Sequence, residues 1–248
     1  MVPTRGEEPW KESKLGVIYR EDNHVASTKS KRGCVTEARY VAHLGTVEHF
    51  KEHMREALRV EKATQAQEIV WLGDGAHWNW NMADKLIPTA IQILDPMHAI
   101  EHASTCAKIL FSDDNVMVKI WVERVKSILY QDRPSTLLLE LRACRVGATQ
   151  IQRDALDALL VYYTNNVDRI KYPIFRAKGL PIGSGTVESG HKHVIQKRMK
   201  LAGQHWDIRR GRGMVEMRAA YRTMGPAKFH AGICQLKSRI QEFGRRAA

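Results

Sequence analysis

Hydrophobic and polar positions divide the chain into three zones. In residues 14–95, short strand-like runs alternate with one helical stretch. Leu15-Gly16-Val17-Ile18-Tyr19 is an apolar, β-branched run followed by the polar turn Arg20-Glu21-Asp22-Asn23-His24, which predicts a strand and its exit. Arg39-Tyr40-Val41-Ala42-His43-Leu44 is the expected partner strand of a hairpin or meander. Val47, Phe50, Met54, Ala57 and Leu58 then recur at helical spacing, with Thr46 placed to cap the first turn through its hydroxyl. The run Glu68-Ile69-Val70-Trp71-Leu72 ends abruptly in Gly73-Asp74-Gly75. Continuous rather than alternating apolar positions predict a strand buried on both faces. Ala90-Ile91-Gln92-Ile93-Leu94 is a second such run, ending in Asp95-Pro96, and the stretch from Trp78 to Leu86 has room for one short helix.

The second zone, residues 98–175, reads as almost entirely helical. Ala99, Ile100, Ala103, Ala107 and Leu110 share one face. Val116, Met117, Ile120, Trp121, Val125, Ile128 and Leu129 make another amphipathic stretch, and Leu156, Leu159, Leu160 and Tyr163 a further one. Pro134 suits the start of a helix continuing to Cys144. The third zone opens on the turn-rich Gly179-Leu180-Pro181-Ile182-Gly183-Ser184-Gly185. A helix is expected from Thr186 or Val187 through Met199, ended or interrupted by Gly203, with a last helix after Trp206.

Charge changes this picture by its position. The chain holds 39 Lys and Arg against 27 Asp and Glu in 248 residues, a formal net charge of +12. Residues 1–188 hold 25 against 24, whereas residues 189–248 hold 14 against 3. A basic block confined to one end suggests a polyanionic partner, although a solvated basic helix has the same composition. No stretch is apolar enough for a membrane span, and the N-terminus lacks the apolar core of a signal peptide. The expectation is therefore a soluble cytoplasmic protein with no membrane partner. The four cysteines, Cys34, Cys106, Cys144 and Cys234, are far apart and suggest neither a disulfide framework nor a zinc site.

Asp74 and Glu188 are the main candidates for chemistry. Asp74 falls at the C-terminal end of an inner strand, where open α/β sheets place their ligands, and glycines on either side leave room for a phosphate. Carboxylates suit Mg²⁺ or Mn²⁺, and a two-metal site can activate an attacking hydroxyl while stabilising the leaving oxygen. A turn aspartate and a solvated first-turn glutamate account for the same two residues without chemistry. Asp95 and His98, three positions apart, either face one another with the imidazole handling a proton, or are a helix cap and an ordinary first-turn histidine. Lys192, Lys197, Arg198, Lys200, Arg209, Arg210 and Arg212 are candidate phosphate contacts, and Trp206 among them is a candidate stacking platform for a base.

At this point a family resemblance becomes specific. The segment Gly-Leu-Pro-Ile-Gly-Ser-Gly-Thr-Val-Glu-Ser-Gly-His-Lys-His-Val-Ile-Gln-Lys-Arg-Met-Lys-Leu-Ala-Gly-Gln-His-Trp, residues 179–206, resembles the glutamate-helix signature of bacterial insertion-sequence transposases of the ISKra type, relatives of the Mutator-like transposases. Leu72-Gly-Asp-Gly-Ala-His-Trp78 resembles their second catalytic aspartate motif, and Leu94-Asp-Pro-Met-His-Ala-Ile-Glu-His102 the D-x-x-H motif after it. The resemblance implies an α/β fold, an RNase H-like mixed sheet with an all-helical insertion before the last catalytic helix. Its segments would be residues 1–97 for the first part of the core, 98–178 for the insertion, 179–224 for the glutamate helix and the end of the core, and 225–248 for a basic tail. It implies DNA transposition, by metal-dependent strand cleavage and then strand transfer. Asp74 and Glu188 would hold Mg²⁺ or Mn²⁺ in a two-metal site, Asp95 and His98 would be accessory, and the basic residues after Glu188 would grip DNA. A homo-oligomer would bring two transposon ends together at the bacterial nucleoid.

One departure bears on activity. The family carries its first aspartate on the first strand of the sheet, ahead of a segment resembling Trp10-Lys-Glu-Ser-Lys-Leu-Gly-Val-Ile-Tyr19, whereas the first Asp of this chain is Asp22, in the polar turn after that run. The expectation is an N-terminally truncated transposase, and the alternative is a catalytically inactive remnant that binds nucleic acid through its basic C-terminal segment.

Overall fold

The computed structural model describes residues 1–5, 9–25, 33–131 and 133–246, with positions 238 and 240–246 as backbone alone. The architecture is mixed α/β. The described strands pair in four two-stranded sheets, three antiparallel and one parallel. The chain divides into two compact units, one formed by Met1–Gln65 with Gly185–Ala248 and the other by Ala66–Ser184.

The first unit begins with β1 (Val2–Pro3) paired to β2 (Trp10–Lys11), followed by β3 (Ser13–Ile18), β4 (His24–Val25), β5 (Cys34–Val35) and β6 (Arg39–Leu44). β3 and β6 pair antiparallel over their full length, from Ser13 opposite Leu44 to Ile18 opposite Arg39, as the apolar runs predict. α1 (Val47–Val60) packs Phe50, Met54 and Ala57 inward, one face at helical spacing. Thr46 is its N-cap, but its hydroxyl pairs with His49 Nδ1 at 2.9 Å and not with a first-turn amide.

In the second unit β7 (Val70–Gly73), α2 (His77–Leu86) and β8 (Ile91–Leu94) form a β-α-β turn whose strands run parallel, Val70 opposite Ile91 and Gly73 opposite Leu94. Trp71 and Gly73 are buried whereas Val70 and Leu72 are half-buried, so this strand is shielded more on one face than the continuous apolar run predicts. Five helices follow: α3 (Pro96–Leu110), α4 (Asn115–Gln131), α5 (Pro134–Cys144), α6 (Gln150–Asn165) and α7 (Tyr172–Ala177). Their starts are written locally, with Pro96 and Pro134 in first turns and a capping box between Thr149 and Gln152. Ala99, Ala103 and Ala107 are fully buried on one face of α3, and such small side chains allow a close approach by α6.

Hydrogen bonds tie these helices to one another and to the strand pair within the unit Ala66–Ser184. The Tyr163 hydroxyl donates to Ala99 O at 2.8 Å, the Tyr172 hydroxyl to Leu94 O at 3.0 Å, and Leu94 N to Arg169 O at 3.0 Å. On α4 only Val125, Ile128 and Leu129 are buried, while Val116, Met117 and Ile120 are exposed.

The chain then returns to the first unit through α8 (Gly185–Gly190), a π-helical turn over His191–Gln196, α9 (Lys197–Met199) and α10 (Ile208–Arg246). The continuous helix expected up to Met199 therefore contains a π segment, held by Arg218, which donates to Val194 O at 2.7 Å and to His193 O. α10 is broken at Gly225, whose φ of 75° and following Pro226 interrupt the helix. Gly190 lies against β3 and β6, where a Cβ would come within 2.9 Å of Leu15 Cδ2. The unit's core gathers Val2, Leu44, Val194, Ile195, Met199 and Val215, with Leu15, Tyr40 and Trp206 packed against it.

Candidate functional site

The parallel register sets two aspartates side by side at the C-terminal ends of β7 and β8, and the backbone bond from Asp95 N to Gly73 O, 2.8 Å, locks the two ends together. Asp74 is exposed, and its carboxylate has one hydrogen bond among the described residues, from Ala76 N to Oδ1 at 3.2 Å, a loose turn contact. Gly75 follows with φ of 92°, a left-handed conformation that turns the chain sharply away from the strand. Asp95 is almost wholly buried at 1% exposure, and both carboxylate oxygens are engaged. Oδ1 accepts from Met97 N at 2.6 Å and Oδ2 from Ser184 N at 2.7 Å. Asp95 therefore caps α3 and ties down the segment leading out of the unit.

His98 and Asp95 share no hydrogen bond or ion pair. The His98 ring turns along its own helix, with Nδ1 3.1 Å from Glu101 Oε2, and is half-buried. His102, one turn further on, stacks on Tyr162 with ring centroids 3.8 Å apart, and burial, then the neighbouring His98, lowers its pKa.

Tyr162 was not among the sequence candidates. Its hydroxyl is buried without a hydrogen-bond partner among the described residues, close enough to Gly75 that a Cβ there would lie 2.8 Å from it. Burial raises the pKa of this phenol strongly, and the charges of Asp74, Asp95 and Glu101 add to the effect. Gly75, Trp80, His102, Tyr162 and Arg169 line a cavity of about 500 Å³ beside the Asp74 strand end. The Arg169 guanidinium sits 4.5 Å over the Trp80 ring.

Glu188 is in α8, in the other unit. It is exposed and makes no hydrogen bond or ion pair with the described residues. Lys192, Lys197, Lys200, Arg209 and Arg210 are exposed. Arg212 is half-buried, and its Nε donates to Leu44 O at 3.2 Å, so part of its hydrogen-bonding capacity goes to the fold. Arg198 covers the Trp206 ring at 5.1 Å, while Trp206 N donates to Pro3 O at 3.1 Å and Trp206 O accepts from Arg5 N at 2.9 Å. Trp206 is thus built into the first unit, half-buried with a guanidinium over its ring.

A second polar cluster, also outside the sequence candidates, lies in the first unit. His43 on β6, His53 on α1 and Glu216 on α10 each offer a ligand atom, and those atoms lie within 4.8 Å of one another. The signal present in the sequence was the pair His49 and His53, four apart on one helix, preceded by a strand histidine. Glu216 lies 173 residues from His43, a separation that sequence spacing does not reveal. No family model, no curated protein and no solved structure matches the chain.

Proposed function

We propose that this chain acts on DNA by metal-dependent phosphoryl transfer, as part of a transposase that cleaves a strand and joins its 3′ end to a target. Asp74 carries the reading: an exposed, nearly unengaged carboxylate at the C-terminal end of a parallel strand, with a glycine on either side. Glu188, exposed and without an ion pair among the described residues, supplies the second carboxylate. Oxygen donors with this freedom fit Mg²⁺ or Mn²⁺, which bind through a few carboxylates and keep water and phosphate oxygens as further ligands. Bound there, a pair of such ions would activate the attacking hydroxyl and stabilise the leaving oxygen. The chain's own contribution is to present the carboxylates and to hold the phosphate backbone through Lys192, Lys197, Lys200, Arg209 and Arg210. An antiparallel strand pair, then a parallel pair, then a helical stretch before the glutamate helix supports the RNase H-like reading of the fold. Asp95 acts as a positioning residue that fixes the β8 end beside Asp74. In an active complex two copies would hold two DNA ends.

A second reading is favoured by one observation. Asp22, the first aspartate of the sequence, lies in an exposed 3-10 turn over Glu21–Asn23, in the connection between β3 and β4 and not on a strand. On that reading the chain holds DNA without cutting it.

Nicking of supercoiled plasmid in Mn²⁺, together with DNA binding measured across a salt series, separates the two. Nicking by the wild type, lost in Asp74→Asn and in Glu188→Gln with DNA affinity kept, supports the transposase reading. Binding that falls steeply with salt, without nicking, supports the second. No binding at low salt overturns both.

A further inference from the structure

The first unit holds a group of side chains that the DNA reading does not use, where β6, α1 and α10 meet. His43 is 2% exposed, and its Nδ1 lies 2.9 Å from Glu216 Oε1. Its other ring nitrogen, Nε2, is buried without a hydrogen-bond partner among the described residues. The His53 ring meets it edge-on with centroids 5.2 Å apart, and the His49 ring lies 5.7 Å away with Nδ1 taken by Thr46. Apart from these histidines and Glu216, the charged group acting on His43 is Arg212, whose Nε is bound to Leu44 O.

We propose that His43, His53 and Glu216 form a binding site for a divalent first-row transition metal, Zn²⁺ being the reference ion. Two imidazoles and a carboxylate are the borderline donor set that such ions take, and three protein ligands leave a fourth position for water or His49. The soft thiolates and the all-oxygen shells that select other metals are missing from the cluster. The ligand atoms already lie within 4.8 Å of one another, so coordination at roughly 2.0–2.2 Å per ligand requires side-chain adjustment and no rebuilding of the backbone. Burial lowers the pKa of His43, against the opposing effect of Glu216 and with Arg212 and His53 reinforcing it. A bound ion would join one strand and two helices that are distant in sequence. The site uses neither Asp74 nor Glu188 and does not depend on the transposase reading.

The test uses the full chain stripped of metal, with Zn²⁺ affinity measured by competition against a chelating dye, Co²⁺ binding followed by visible absorption, and thermal unfolding with and without Zn²⁺. The expected result is one Zn²⁺ per chain at this site, a tetrahedral-type Co²⁺ spectrum, and a midpoint that rises with metal because binding favours the folded state. His53→Ala, on an exposed part of α1, weakens affinity by about 10–100-fold or more, since losing a ligand costs no less than losing one of its supports. The same change removes the Co²⁺ bands and the rise in midpoint. Glu216→Gln, which keeps a neutral acceptor beside His43, weakens binding in the same direction and serves as the second variant if the first fails to fold. No binding to the wild type overturns the proposal. So does binding undiminished in both variants, which would point to the exposed thiols of Cys34, Cys144 and Cys234.

Discussion

The ends of β7 and β8 carry the same residue type in matched register, and the fold uses the two in opposite ways. Asp95 is buried, and each of its oxygens meets a backbone amide, one opening α3 and one at Ser184. Asp74 is exposed, bears one loose turn contact and is succeeded by a left-handed glycine. A carboxylate whose lone pairs are committed to amides is a structural element, and its removal orphans those amides. A carboxylate without such commitments costs the fold little and is available to a ligand. The difference comes from the residue after each aspartate: Pro96 starts a helix directly over Asp95, whereas Gly75 swings the chain away from Asp74.

Replacing Asp95 by Ala should produce the largest loss, about 3 kcal/mol by chemical denaturation, combining a lost cap and an unsatisfied buried amide. A loss below about 1 kcal/mol would mean that the two strand ends are equivalent after all. Gly75→Ala should cost about 2 kcal/mol, because an L side chain is strained at φ of 92° and would meet the Tyr162 hydroxyl. The same contrast recurs in two adjacent tyrosines. Tyr163→Phe should cost about 1–1.5 kcal/mol through its buried bond to Ala99 O, while Tyr162→Phe, whose hydroxyl has no partner, should change stability by less than about 0.5 kcal/mol. Equal losses from the two tyrosines would show that the Tyr162 hydroxyl has a solvent partner. Asp74→Asn should leave the unfolding free energy within about 0.5 kcal/mol of wild type, and its effect should be confined to metal binding and DNA nicking.

Local sequence carried much of the secondary structure. The apolar runs at 15–19 and 39–44 became a full-length antiparallel pair, and Pro96 and Pro134 mark helix starts that the fold uses. Burial was harder to read. The apolar residues at the start of α4 resemble a core face in sequence, yet Val116, Met117 and Ile120 face solvent. Periodicity says which residues share a face and not what lies against it. For the same reason the sequence does not reveal that Trp206, set among basic residues, packs beneath Arg198 and is bonded through its backbone to Pro3 and Arg5.

The sequence by itself determined the strand runs that became β3, β6, β7 and β8, the placing of Asp74 and Asp95 at strand ends, and the concentration of positive charge in the last 60 residues. These depend on nearest neighbours and composition, which a linear pattern records. Only the tertiary structure decided that Asp95 is spent on amides while Asp74 stays open, that Tyr162 lies beside Gly75, and that His43, His53 and Glu216 converge. Those outcomes depend on which groups meet across long stretches of chain, and the packing that brings them together is set by the whole of each unit.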